Sequence, residues 1–147
     1  MNSITSLLTS QTQRLANFIV LEGEQGVLLV RPYTNDICAH WRFVNEETAI
    51  RSSNKIYKMF CEYRKRKDFI GMDMARKFLE MGFTRARRYA NHSSGRKYGE
   101  GRRVLPIESD CLTSEKAKAA KVFKVKRDLA AYDQEYVTMR KQWRASE

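Results

Sequence analysis

DFIGMDMARKFLEMGFTRARRYANHSSGRKYGEGRR, residues 68–103, is the stretch on which the reading of this chain turns, because an apolar helical pattern gives way there to arginine, tyrosine and glycine. Ile70, Met74, Phe78 and Met81, joined by Ala75 and Leu79, recur at helical spacing and form one stripe of a helix that Asp68 can cap. Gly82 stands where a helix wants a left-handed C-terminal residue, and Thr84 can cap a short second helix running to Asn91. A helix, a tight turn and a second helix are therefore expected. The same pattern allows a helix-turn-helix with residues 84–91 as recognition helix, although so many arginines fit phosphate contacts better than a base code. Ser93-Ser94-Gly95 and Gly99-Glu100-Gly101 then read as loop, with Val104-Leu105-Pro106 as its exit.

From Arg85 to Arg103 the cations Arg85, Arg87, Arg88, Arg96, Lys97, Arg102 and Arg103 face a single acid, Glu100. Six of these seven are arginine, whose planar fork grips phosphate oxygens bidentately where lysine offers a point charge. Tyr89 and Tyr98 are interleaved with them, as expected where bases or sugars stack while the backbone is neutralised. Asn91 and His92 complete the candidate phosphate-binding set. The competing account is that Arg85 and Arg88 pair with Asp73 and Glu80 of the preceding helix and the rest is a solvated loop. Surface pairs of that kind contribute only about 0–1 kcal/mol and leave most of the cations unmatched.

Upstream, residues 1–13 read as a loosely held arm ahead of one domain spanning 14–147. Phe18 to Leu21 and Val27 to Val30 flank Gly23-Glu24-Gln25-Gly26 and suggest a hairpin, with Pro32 ending its second strand. A polar segment, Thr34-Asn35-Asp36, leads into His40-Trp41-Arg42-Phe43, whose alternation fits a third short strand with Trp41 and Phe43 turned to the core. Asn45 caps a helix on which Ala49, Ile56, Phe60 and Tyr63 share a face, ending in Arg64-Lys65-Arg66-Lys67. The fold class expected is α+β: a small N-terminal antiparallel sheet packed with three or four helices.

Downstream, Ser114 or Thr113 caps a last helical region with an apolar seam of Val122, Val125, Leu129, Tyr132, Tyr136, Met139 and Trp143. A second capping signal at Asp133 can divide it in two. Lys116, Lys118, Lys121, Lys124 and Arg127 form a secondary basic face opposite that seam.

Composition sets the class of partner. The 147 residues carry 28 Lys and Arg against 17 Asp and Glu, a net charge of +11, which concentrates phosphate-bearing partners around the chain. The three cysteines, Cys38, Cys61 and Cys111, lie far apart without CxxC spacing, so reduced thiols and a cytoplasmic location are expected. No stretch approaches the roughly 20 apolar residues of a membrane span. With two histidines, no HxxxH and no GxSxG, neither a metal site nor a cofactor is indicated, and enzymatic activity is disfavoured. His92 and His40 are the acid–base candidates if chemistry occurs.

The segments GEQGVLLVRPY (23–33), HWRF (40–43), DFIGMDMARKFLEMGFTRARRYANH (68–92), GRKY (95–98) and the exit at 104–106 together resemble the family called domain of unknown function 4385. The likeness covers roughly residues 22–127. It implies a small cytoplasmic protein of the kind carried by bacteria and phages, and it brings no activity with it. Two departures are the arm before Arg14 and Ala39, where a proline is expected in relatives. The function expected from the residues themselves is nucleic-acid binding through the phosphate backbone. The alternatives are a small enzyme on a phosphorylated or nucleotide substrate, and a module that binds an acidic host protein.

Overall fold

A computed structural model of the chain describes residues 33–146. Five α-helices occupy them: α1 (Tyr33–Cys38), α2 (Glu46–Lys65), α3 (Phe69–Asn91), α4 (Glu115–Ala131) and α5 (Gln134–Ala145). Among the described residues a 3₁₀ turn at Glu100–Arg102 interrupts the loop between α3 and α4. Helices α2, α3 and α4 pack on one another, with α1 and α5 resting mainly on α3. Over the described residues the fold is all-α, which overturns the α+β expectation: they contain no strand, only an isolated antiparallel bridge between Tyr98 and Val104. The arm at 1–13, the hairpin expected at 18–30 and the stop at Pro32 lie outside the described residues.

The expected third strand fails for a reason visible in its hydrogen bonds. Thr34, Asn35 and Asp36 belong to helix α1, and the chain leaves it with His40 N–H donating to the Ile37 carbonyl and Trp41 N–H to the Cys38 carbonyl. Arg42 N–H then donates to Ser52 Oγ at 2.9 Å, so the amide a neighbouring strand would have used is already taken. The facing inferred from alternation survives, since Trp41 and Phe43 pack against the core while His40 and Arg42 are exposed.

Helix α2 starts at Asn45 through a capping box in which Asn45 Oδ1 accepts from Thr48 N–H and Thr48 Oγ1 accepts from Asn45 N–H. Its face of Ala49, Ile56, Phe60 and Tyr63 is buried as expected. Asp68 caps α3, accepting from Gly71 N–H at 3.1 Å. The stripe of Ile70, Met74, Ala75, Phe78, Leu79 and Met81 is buried in full, and Met72 joins it.

The turn at Gly82 does not exist, and the helix-turn-helix reading falls with it. Helix α3 runs without interruption through Gly82 and Thr84, whose hydroxyl donates to the Met81 carbonyl, to Asn91. Gly82 is a contact glycine: a Cβ there would lie 2.4 Å from Cδ1 of Phe123 on α4, so its absence lets the two helices approach closely. That approach also decides which face of α4 turns inward. Ala117, Ala119, Ala120, Phe123 and Ala130 are buried, whereas Val125, Leu129 and Tyr132 of the expected seam are 54%, 48% and 75% exposed. Small side chains permit the close crossing that larger ones would block. Of the expected seam, Val122 packs against the core, and beyond the break at Asp133 Tyr136 is buried and Met139 and Trp143 pack against the core.

Candidate nucleic-acid interface

Because α3 is continuous, Arg85, Arg87 and Arg88 sit on its last two turns rather than on a helix of their own. The Arg85 guanidinium lies 5.1 Å from the Trp41 ring centroid, the Arg87 guanidinium donates to the Cys111 carbonyl, and Arg88 is exposed. Tyr89 is 43% exposed but not open on both sides. Lys116 Nζ stands 5.4 Å over its ring, and Gly95, at φ +74°, packs so close that a Cβ would meet Tyr89 Cε1 at 2.6 Å.

His92 ends the helix and is buried, only 7% exposed. Its Nδ1 lies 3.2 Å from the Pro106 carbonyl, which can only accept, so Nδ1 carries the proton. Together with the bond from Glu108 N–H to the Asn91 carbonyl at 2.7 Å, this clasp ties both feet of the arginine loop to the end of α3. His92 thus serves the loop's attachment through its ring, and Asn91 through its carbonyl.

The loop itself is built. Gly95 N–H donates to the His92 carbonyl at 2.8 Å, Leu105 N–H to Lys97 at 2.8 Å, and Gly99 N–H to Arg103 at 2.7 Å, around the Tyr98–Val104 bridge. Gly101 and Arg102 turn the tip with φ of 65° and 62°. This arch holds Arg96, Arg102 and Arg103 in solvent beside Tyr98, which is 52% exposed with Lys97 Nζ 5.6 Å over its ring.

The acids that might have absorbed these cations are already engaged. Asp73 and Glu80 are held by Arg76, at 3.3 and 2.8 Å, and Arg127 reaches Glu80 at 3.5 Å. Neither acid pairs with Arg85 or Arg88. Arg88, Arg96, Arg102 and Arg103 have no carboxylate partner among the described residues. The secondary basic face is divided by comparison. Lys118 pairs with Glu115, Lys124 and Arg127 with Asp128, and Lys121 is exposed without an ion pair among the described residues. Lys116 instead turns toward the loop's root, donating to the Phe43 carbonyl at 3.2 Å over the Phe43 and Tyr89 rings, where burial lowers its pKa.

Sequence reasoning missed the contribution of Trp41, Phe43 and Lys116 to this surface, since three separate segments meet there. It also missed the polar knot of Asp73, Arg76 and Tyr136, although Asp73-Arg76-Glu80 has the i, i+3, i+7 spacing of one helix face. Among the described residues no three His, Cys, Asp or Glu side chains converge in a way that could hold a metal, the three cysteines are unpaired, and no helix is long and apolar enough to cross a membrane.

The chain belongs to the family described as Domain of unknown function (DUF4385), whose model matches residues 7–146. The match takes in half of the arm and reaches past residue 127. No curated protein and no solved structure matches the chain.

Proposed function

We propose that this DUF4385 protein binds nucleic acid through the phosphate backbone, using the arginine loop and the last turn of α3. The observation that carries the reading is the set Arg88, Arg96, Arg102 and Arg103, all exposed and without a carboxylate partner among the described residues. An exposed guanidinium cluster has a strong affinity for phosphate oxygens, and an overall charge of +11 draws polyanions to it. Tyr98 beside it offers a ring for stacking. Such a role fits a small accessory factor of the cytoplasm.

Fluorescence anisotropy with labelled duplex DNA, single-stranded DNA and RNA at low salt tests the proposal. Each phosphate neutralised on a duplex lowers the salt-dependence slope by about 0.9, so four arginine contacts give a slope of about −3 to −4. Replacing all four arginines with glutamine should remove most of that dependence without changing the helical content. Absence of binding to every probe at low salt overturns the reading.

A further inference from the structure

The HWRF motif has a second use that the arginine loop does not absorb. Its inward pair, Trp41 and Phe43, packs on the core, and its outward pair, His40 and Arg42, opens onto a pocket of about 240 Å³ against α2. The other lining residues are Thr48, Arg51, Ser52 and Lys55. Three cations and a histidine therefore face one small space that no carboxylate lines. The volume is below the roughly 300 Å³ at which pockets for drug-sized ligands begin.

The walls are organised rather than incidental. Arg42 is pinned, its guanidinium donating to the Trp41 carbonyl at 2.6 Å and the Cys38 carbonyl at 3.3 Å, with its remaining N–H groups left over. Ser52 is buried, and its Oγ accepts the Arg42 N–H, while its own proton has no acceptor among the described residues. Thr48 spends its hydroxyl within the capping box and presents only its methyl. Arg51 reaches Glu47 at 3.5 Å, but both side chains are over 70% exposed, at 72% and 78%, so the pair is weak and yields easily to a competing anion.

We infer that this pocket is a binding site for a phosphate monoester group, separate from the arginine loop. A carboxylate offers two oxygens, too few for two guanidinium forks, an ammonium and a buried hydroxyl. A terminal phosphate offers three strong acceptor oxygens and a second negative charge. The adjoining groove of about 410 Å³ shares His40 and Lys55 and adds Asn35, Asp36, Glu62 and Arg66, so the remainder of a phosphorylated small molecule has a mixed polar surface to lie on.

Titration of the full chain with inorganic phosphate, followed by backbone amide NMR, tests the site. Saturable shifts concentrated at Arg42 and Ser52 are expected. The Arg51→Gln/Lys55→Gln variant, altered only at two exposed α2 positions, should weaken phosphate binding at least tenfold. The Arg102→Gln/Arg103→Gln variant should change it less than twofold, so failure here and failure of the nucleic-acid reading are distinguishable. A nucleoside 5′-monophosphate binding more tightly than phosphate, with added shifts at Asn35 or Glu62, identifies a phosphorylated small molecule as the ligand. Equal affinity for both identifies free phosphate. Shifts that never saturate, or that centre on the loop, overturn the proposal, as does wild-type affinity in the Arg51/Lys55 variant.

Discussion

The Tyr136 hydroxyl donates to Asp73 Oδ1 at 2.6 Å, joining α5 to the N-terminal part of α3 across 63 residues of sequence. Asp73 is 2% exposed and has Arg76 as its other partner. Tyr136→Phe leaves that buried carboxylate short of one hydrogen bond, and a loss of about 1–3 kcal/mol is expected. Asp73→Ala removes one of the two carboxylates that compensate the buried Arg76 and should cost more, about 3–5 kcal/mol. Urea unfolding midpoints measure both, and a Tyr136→Phe protein as stable as wild type would show that the bond contributes nothing.

Gly82→Ala should destabilise the protein by about 1–3 kcal/mol, although alanine is worth about 1 kcal/mol more than glycine in a helix. The Cβ would collide with Phe123, not with its own backbone. In a Phe123→Leu background the cost of Gly82→Ala should therefore shrink, a coupling that a double-mutant cycle reads directly. A turn glycine would show no such coupling.

Stability should fall steeply above pH 10. Burial raises the pKa of Tyr33, Tyr57, Tyr63 and Tyr136 above the ordinary tyrosine value near 10, reinforced by the charge and hydrogen bond of Asp68 at Tyr33 and by Asp73 at Tyr136. Past that pH the unfolded chain releases phenolic protons that the folded chain keeps, so unfolding is favoured as pH rises. The contribution is fully present below pH ~10. Lys77 and Lys116, lowered by burial, act in the opposite sense: their contributions grow as pH climbs and are complete near pH ~10.5. Thermal unfolding from pH 8 to 11.5 should show the alkaline decline, flattened in Tyr136→Phe.

His92→Ala should loosen the arginine loop without unfolding the helices. The clasp to Pro106 is lost, and the amides of Gly95, Leu105 and Glu108, which bond within the loop or to its root, should exchange at least tenfold faster. Amides in the middle of α3 should keep their protection. Uniform acceleration across the chain would mean that His92 supports the whole fold.

Tyr98→Ala should weaken single-stranded nucleic-acid binding by roughly tenfold, since a stacked base contributes about 1–3 kcal/mol. Tyr89→Ala should weaken it less, because that ring already packs against Gly95 with Lys116 over it. The reverse order in anisotropy titrations would move the stacking surface to the root of the loop.

Much of this chain could be read locally. Asn45, Asp68, Ser114 and Asp133 cap helices because a short polar side chain satisfies amides three residues ahead, a rule that needs no knowledge of the fold. The buried stripes of α2 and α3 follow from periodicity for the same reason, and the excess of exposed arginine follows from counting.

Three features were decided only when the helices met. Gly82 looks like a stop signal until Phe123 lies against it, because one missing Cβ serves a turn and a close crossing equally well. The inward face of α4 is its alanines and not Val125, Leu129 and Tyr132, because interhelical distance at Gly82 outweighs side-chain hydrophobicity. Asp73 and Glu80 are taken by Arg76 and Arg127, not by Arg85 or Arg88, which the spacing of the sequence allowed equally well. Sequence alone therefore determined the chain's charge, the starts of α2, α3, α4 and α5 and its principal apolar stripes, which are properties of neighbours within a few residues. Tertiary structure decided which groups pair, which glycine is a contact and which cations face solvent, since each is a competition between residues far apart in the chain for the same space or the same charge.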